Sequence, residues 1–205
     1  MTAASCHSPA RMQVFTRPTK TYAGYIFDCD GTLANSMPIH FLAWQQATRE
    51  NGCEITEELF YSLGGVPTPR IVEILNEKFG LAMDPQQVSR RKEEIYVEQI
   101  AKVEPIPEVA SFAREVAQFA KVAVASGGLQ AVVRRTLEVI GFGGFFPVIV
   151  TSEQVARGKP FPDIFLETAD RMGVPASDCL VLEDSPAGIE AAKAAGMDFA
   201  FIERP

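Results

Sequence analysis

The chain has 205 residues and sets 19 Lys and Arg against 26 Asp and Glu, a formal net charge of −7, with 47% hydrophobic and 22% charged residues. That is the composition of one or two globular domains with a core to bury, not of a disordered or fibrous chain. The acidic balance argues against general binding to nucleic-acid backbones, and no apolar run nears the roughly 18 residues that span a bilayer.

Residues 1–21 stand apart. They hold Arg11, Arg17 and Lys20 but no acid, so the remaining chain carries −10. No apolar stretch follows as in a secretory signal, and Pro9 and Pro18 interrupt any amphipathic helix, so the segment is expected to be a mobile terminus rather than an organellar address. A first buried strand is predicted at 25–27, ending at Asp28. Four consecutive helices follow at about 38–51, 56–62, 67–79 and 84–102, punctuated by Gly52, Gly64-Gly65 and Gly80. This block, 37–104, is too long for a crossover and reads as an inserted subdomain. Further strands are predicted at 121–125, ending at Ser126, at 147–150, at 179–182, ending at Glu183-Asp184, and at 199–202. Ser185 and Pro186 open a helix as N-cap and first residue, with Ile189, Ala192 and Ala195 facing inward and Gly196 as the stop. Continuous apolar strands separated by helices predict an α/β fold, a parallel sheet covered on both faces.

Cys6, Cys29, Cys53 and Cys179 form no C-x-x-C pair, and free thiols suit a reducing, cytoplasmic setting.

Ligands of a doubly wound sheet bind at the carboxyl ends of its strands. The chemically capable residues fall there: Asp28 and Asp30, Ser126, Glu183 and Asp184, with Lys159 in a Gly158-Lys159-Pro160 turn. Crowded carboxylates repel unless a cation neutralises them, and an oxygen-only set suits Mg²⁺. Magnesium, a lysine and a hydroxyl together make a receptor for a phosphoryl group. One Asp can then attack phosphorus to form an aspartyl phosphate, while the second, two residues on, serves as acid and base. Gly31 would relieve crowding where backbone passes the phosphate. The competing reading, an Asp-x-Asp-Gly calcium loop, lacks the later ligands such a loop needs. His7 and His40 are the only histidines, which argues against a His-rich zinc site or a serine–histidine triad. His40 shares a helix face with Trp44 and either packs in the inserted block or lines a cleft beside Asp30. Arg70 either reaches a distal group of a substrate or forms a surface ion pair. Phe41, Leu42, Phe60, Ile71, Ile74 and Leu75 read as the core of the block.

Asp28-Cys29-Asp30-Gly31-Thr32-Leu33, Ser126-Gly127-Gly128, Gly158-Lys159-Pro160-Phe161-Pro162-Asp163 and Glu183-Asp184-Ser185 resemble, in order, the four motifs of the haloacid dehalogenase-like superfamily. The resemblance implies a Rossmann-like core at 22–36 and 105–205 with a helical, C1-type cap at 37–104. It implies Asp28 as nucleophile, Asp30 as general acid and base, and Ser126 and Lys159 on the transferred phosphoryl group. It implies Mg²⁺ held by Asp28, the Asp30 carbonyl and Asp184, with Glu183 assisting. Gly31, Gly127, His40 and Arg70 are the expected substrate-side residues. Dehalogenases proper lack the second Asp, so Asp30 points to phosphate chemistry. Met37-Pro38-Ile39-His40 and Gly64-Gly65-Val66-Pro67-Thr68-Pro69-Arg70 are similar to the β-phosphoglucomutase-like branch, the latter closer to its fructose-1-phosphate phosphatase-like members. Mutases of that branch have a lysine soon after the motif-II serine, where this chain has Gly127-Gly128-Leu129, and Asn35 replaces a common acid. The expected function is a Mg²⁺-dependent phosphatase acting on a small phosphorylated metabolite, a sugar phosphate. A phosphosugar mutase and a catalytically silent binding protein are the alternatives. A monomer or small homo-oligomer without nucleic-acid or membrane partners is expected.

Overall fold

Five of the apolar runs become strands of one parallel sheet in the computed structural model, which describes residues 15–64 and 66–203. In chain order the elements are β1 (Gly24–Phe27), β2 (Ala34–Asn35), α1 (Met37–Arg49), α2 (Glu57–Ser62), α3 (Thr68–Phe79), α4 (Pro85–Gln99) and β3 (Glu104–Pro105). Then come α5 (Pro107–Val116), β4 (Lys121–Ser126), α6 (Gln130–Val139), β5 (Val148–Thr151), α7 (Asp163–Met172), β6 (Cys179–Glu183), α8 (Pro186–Ala194) and β7 (Asp198–Phe201). A 3₁₀ turn at Ile100–Lys102 prolongs α4.

The sheet order is β5-β4-β1-β6-β7, with every neighbouring pair parallel. β1 is central, and Phe27 lies opposite both Val124 of β4 and Leu182 of β6. The chain runs outward from β1 to β5 and then returns to the other side of β1, so the switch point falls beside β1. Side chains alternate between two apolar layers because a strand's period is two. Tyr25, Phe27, Val122, Val124, Leu180 and Leu182 face one layer; Ile26, Ala123, Ala125, Cys179 and Val181 face the other, against α7 and α8. The first layer continues into the helical block through Trp44, Leu75 and Tyr96.

Three expectations are corrected. A two-stranded antiparallel ribbon, Ala34 opposite Pro105 and Asn35 opposite Glu104, closes the base of the helical block where no strand was predicted. Ala192 and Ala195 are buried as expected, but Gly188 and Ala191 complete the inward face of α8 where Ile189 is only partly buried, because the residues nearest the sheet must be small. The segment predicted to be mobile lies outside the described residues over 1–14, but residues 15–21 are docked. Phe15 is buried edge-on against Phe112, Arg17 pairs with Glu115, and Lys20 pairs with Asp198. No described helix is long and apolar enough to cross a membrane.

Candidate active site

The parallel register delivers Asp28 just past β1 and Glu183-Asp184 at the end of β6, and Asp28 N–H bonds the Leu182 carbonyl at 3.0 Å. Carboxylate oxygens of Asp28, Glu183 and Asp184 lie within 4.8 Å of one another, all buried. Lys159 enters from the β5–α7 connection and places Nζ 2.7 Å from Asp28 Oδ1 and 2.8 Å from Glu183 Oε2, with the Ala125 carbonyl at 3.3 Å. One ammonium does not balance three carboxylates. Burial therefore pushes the Asp28 carboxyl well above its usual range, Glu183 adds to this, Lys159 opposes it, and Asp184 and Asp30 raise it further. Burial alone would lower the Lys159 ammonium, but Asp28 and Glu183 hold it well above its ordinary value.

Glu183 is oriented by the first turn of α8: Ser185 donates to its Oε1 from both the backbone N–H and the hydroxyl. The same Ser185 oxygen accepts from Gly188 N–H as the helix N-cap. Thr32 Oγ1 donates to Asp184 Oδ1 at 3.3 Å. Gly31, expected beside a phosphate, packs on Asp184: its φ is +84°, and a Cβ there would collide with the Asp184 carboxylate. Oxygen-only donors, buried and short of positive charge, fit a hard divalent cation.

Asp30 sits apart from this cluster, toward the helical block. Its Oδ1 accepts from Ser36 Oγ at 2.6 Å and bonds His40 Nε2 at 3.1 Å. Burial would raise the Asp30 carboxyl, but His40, by charge and by hydrogen bond, and then Ser36 outweigh it and bring it down to about 2. Ser126 is buried at the end of β4, its oxygen held by Gly128 N–H at 3.1 Å.

These residues line one cleft of about 170 Å³ between the sheet edge and the helical block. Asp28, Asp30, Ser126, Gly127, Lys159, Glu183 and Asp184 form its floor, with His40 on the wall. Trp44, Phe60, Val66 and Ile71 make an apolar roof, which Lys92 and Glu93 interrupt with an ion pair of 3.0 Å. Arg70 is not among the lining residues: its side chain is 49% exposed and pairs with Glu73 and Glu77 on the surface of α3. A larger hollow of about 990 Å³, between residues 15–20 and β7, contains none of the acidic cluster.

Sequence reasoning missed Ser36, Lys92, Glu93 and Tyr96. Lys92 is 5% exposed yet stands in the run Arg90-Arg91-Lys92-Glu93-Glu94, where nothing in the periodicity separates it from solvated neighbours. Tyr96 lies under His40, ring on ring. A lysine and a tyrosine four apart share a helix face, and that was the one available signal.

A sheet switch point that gathers three buried carboxylates around a lysine, beneath a helical block, is the architecture of a phosphoryl-binding hydrolase. Residues 25–202 match the family model described as haloacid dehalogenase-like hydrolase, and the chain belongs to that family. Over 178 residues it is 36% identical to the fructose-1-phosphate phosphatase YqaB of Escherichia coli, covering 86% of this chain and 94% of that one. It is 31% identical to a phosphorylated carbohydrates phosphatase of Thermotoga maritima, covering 84% and 81%. The β-phosphoglucomutase structure from Clostridium difficile superposes with a TM-score of 0.78 at 26% identity, covering 87% of this chain and 83% of that one.

Proposed function

We propose that this protein is a Mg²⁺-dependent phosphatase that hydrolyses a sugar monophosphate through an aspartyl phosphate on Asp28. The observation that carries the reading is the convergence of Asp28, Glu183 and Asp184 within 4.8 Å, with Lys159 Nζ between Asp28 and Glu183. Asp28 and Asp184 would hold the magnesium, with the Asp30 carbonyl as a further donor and Glu183 assisting from beside Lys159. When bound, the cation neutralises the carboxylates and the phosphoryl oxygens that must approach them.

Lys159 and Ser126 bind the phosphoryl oxygens, and Gly127 lets them approach the backbone closely. Asp28 attacks phosphorus in line. Asp30 protonates the departing sugar oxygen and then takes a proton from the water that cleaves the aspartyl phosphate. His40 and Ser36 keep Asp30 ionised in the free protein; an adjacent phosphoryl dianion raises its carboxyl so that it can carry the proton. Residues 37–104 act as the cap over the core of 22–36 and 105–205, excluding bulk water.

The sugar phosphatase reading is supported by the Escherichia coli and Thermotoga maritima relatives, and fructose 1-phosphate is the first substrate to test. Among the described residues lining the cleft, the only lysines or arginines are Lys92 and Lys159. That supplies one phosphate site and a Lys92–Glu93 pair for sugar hydroxyls, rather than the second phosphate grip a mutase needs. Cys29, Cys53 and Cys179 are free and buried, in keeping with a reducing cytoplasmic setting.

The test incubates the protein with a panel of sugar monophosphates and follows phosphate release and isomer formation together. Release that requires Mg²⁺ and disappears in Asp28→Asn is the expected result. Isomer formation without net phosphate would establish the mutase instead, and sugar-phosphate binding without turnover would defeat both.

A further inference from the structure

The Tyr96 ring lies flat on the His40 imidazole, centroids 3.9 Å apart and 8° from parallel. Tyr96 belongs to α4, is fully buried, and is not among the residues lining the cleft. Its hydroxyl shares a 2.9 Å hydrogen bond with Thr136, a buried residue of α6. His40, on α1, bonds Asp30 Oδ1. A continuous path thus runs from α6 at Thr136, through the helical block at Tyr96 and His40, back to Asp30.

We infer that Tyr96 is a positioning residue: anchored by Thr136, it holds the His40 ring in the plane that keeps the Asp30 carboxylate aimed at the leaving-group oxygen. The reason lies in what else grips the imidazole. Its Nδ1 is buried and has no hydrogen-bond partner, so no polar contact fixes the ring from its far side. Its orientation rests on the Nε2 contact to Asp30 and on the aromatic face beneath it. A parallel ring at 3.9 Å removes the rotation about Cβ–Cγ that would carry Nε2 away from Oδ1. A ring nitrogen that faces an ionised carboxylate must carry a proton, so His40 donates from Nε2 to Asp30.

The consequence for Asp30 is directional. Ser36 and His40 both occupy Oδ1, which leaves Oδ2 for chemistry. Oδ2 lies beside Gly128, 3.8 Å from where an added Cβ would stand, and both Gly127 and Gly128 line the cleft. Lys92, one turn before Tyr96 on the same helix, does line the cleft. The Tyr96–Thr136 bond therefore ties to the core the turn of α4 that carries both residues. Seating the block on α6 and orienting the acid become one event.

This inference rests on Asp30 being the general acid, and the experiment separates the two. kcat/KM reports steps through departure of the leaving group, so it does not see Asp30 acting later as a base. It is measured on a sugar monophosphate, whose alkoxide needs a proton, and on p-nitrophenyl phosphate, whose phenolate leaves without one. Asp30→Asn should lose activity selectively on the sugar; equal loss on both substrates would defeat the general-acid reading itself. Tyr96→Leu should then lose about tenfold or more on the sugar and far less on the aryl ester. Tyr96→Phe and Thr136→Val, which keep the packing and remove only the hydrogen bond, should each show a smaller loss of the same selectivity, with no further loss when combined. They carry the test if Tyr96→Leu does not fold. A selective Asp30→Asn beside Tyr96 and Thr136 variants that lose both activities equally, or neither, would overturn the positioning role and leave the phosphatase standing.

Discussion

A Cβ on Gly188, in the first turn of α8, would stand inside the Glu183 carboxyl group. Glycine here makes room rather than a turn. The Gly188→Ala variant must push Glu183 off Ser185 and Lys159, which hold its two oxygens. We expect a loss of about 1–3 kcal/mol in stability from overpacking. Mg²⁺ activation should weaken by about tenfold or more, since the groups that orient a metal site's ligands commonly matter that much. Thermal melting and a Mg²⁺ titration of activity check both; wild-type behaviour would mean that Glu183 does not need this position.

Lys159 neutralises a buried cluster, so its removal should be felt in the protein without magnesium. Lys159→Met leaves Asp28 and Glu183 buried without their ammonium. Breaking such a pair costs about 3–5 kcal/mol. Added Mg²⁺ should restore part of the lost melting temperature without restoring turnover. In the wild type the Lys159 value is raised, so its stabilisation is complete below the ordinary lysine value and fades only as pH rises beyond it. The lysine's own titration therefore leaves the melting difference between wild type and variant unchanged across neutral pH. Lys159 also opposes the rise of the Asp28 carboxyl, however, so the difference should grow as pH climbs through that carboxyl's elevated range.

Asp30 and Asp28 respond to pH in opposite senses. The Asp30 carboxyl is lowered from 3.8 to about 2, so its contribution is present above pH 3.8 and is lost as pH falls toward 2. Asp30→Asn should cost about 2 kcal/mol near neutrality and progressively less in acid, read from melting curves across that range. The Asp28 carboxyl is raised, so its contribution is present at low pH and is lost as pH rises through its elevated value. Magnesium must displace that proton, and its affinity should climb with pH. Titration calorimetry in two buffers of different ionisation enthalpy would detect the proton released.

Two basic residues of the helical block should behave differently. Lys92→Met, which removes a buried cation from the roof, should raise KM for a sugar phosphate about tenfold or more. Arg70→Ala, which removes a half-exposed cation tied to Glu73 and Glu77, should leave KM within about twofold. A large Arg70 effect in steady-state kinetics would place that side chain in the cleft during turnover.

The strands and the motif residues were legible because their signals are local. A run such as Cys179-Leu180-Val181-Leu182 is buried on both faces wherever its neighbours lie, and the residues just after it must emerge at the sheet's carboxyl edge. The ribbon of β2 and β3 was not legible, since two residues carry no periodicity and their pairing joins positions about 70 apart. The burial of Phe15 was hidden for a similar reason: its partner Phe112 is almost a hundred residues away.

By itself the sequence determined which chemistry is present: carboxylates, a lysine and a serine at strand ends, with a helical block inserted after the first strand. It did so because strand ends follow from apolar runs, and donor types follow from residue identity. Only the tertiary structure decided which side chains meet. It put Lys92 rather than Arg70 in the roof, Gly31 against Asp184, and Tyr96 beneath the imidazole that grips Asp30. Those choices depend on how each helix is turned about its axis and seated on its neighbours, and that is set by packing between distant segments, not by spacing within one.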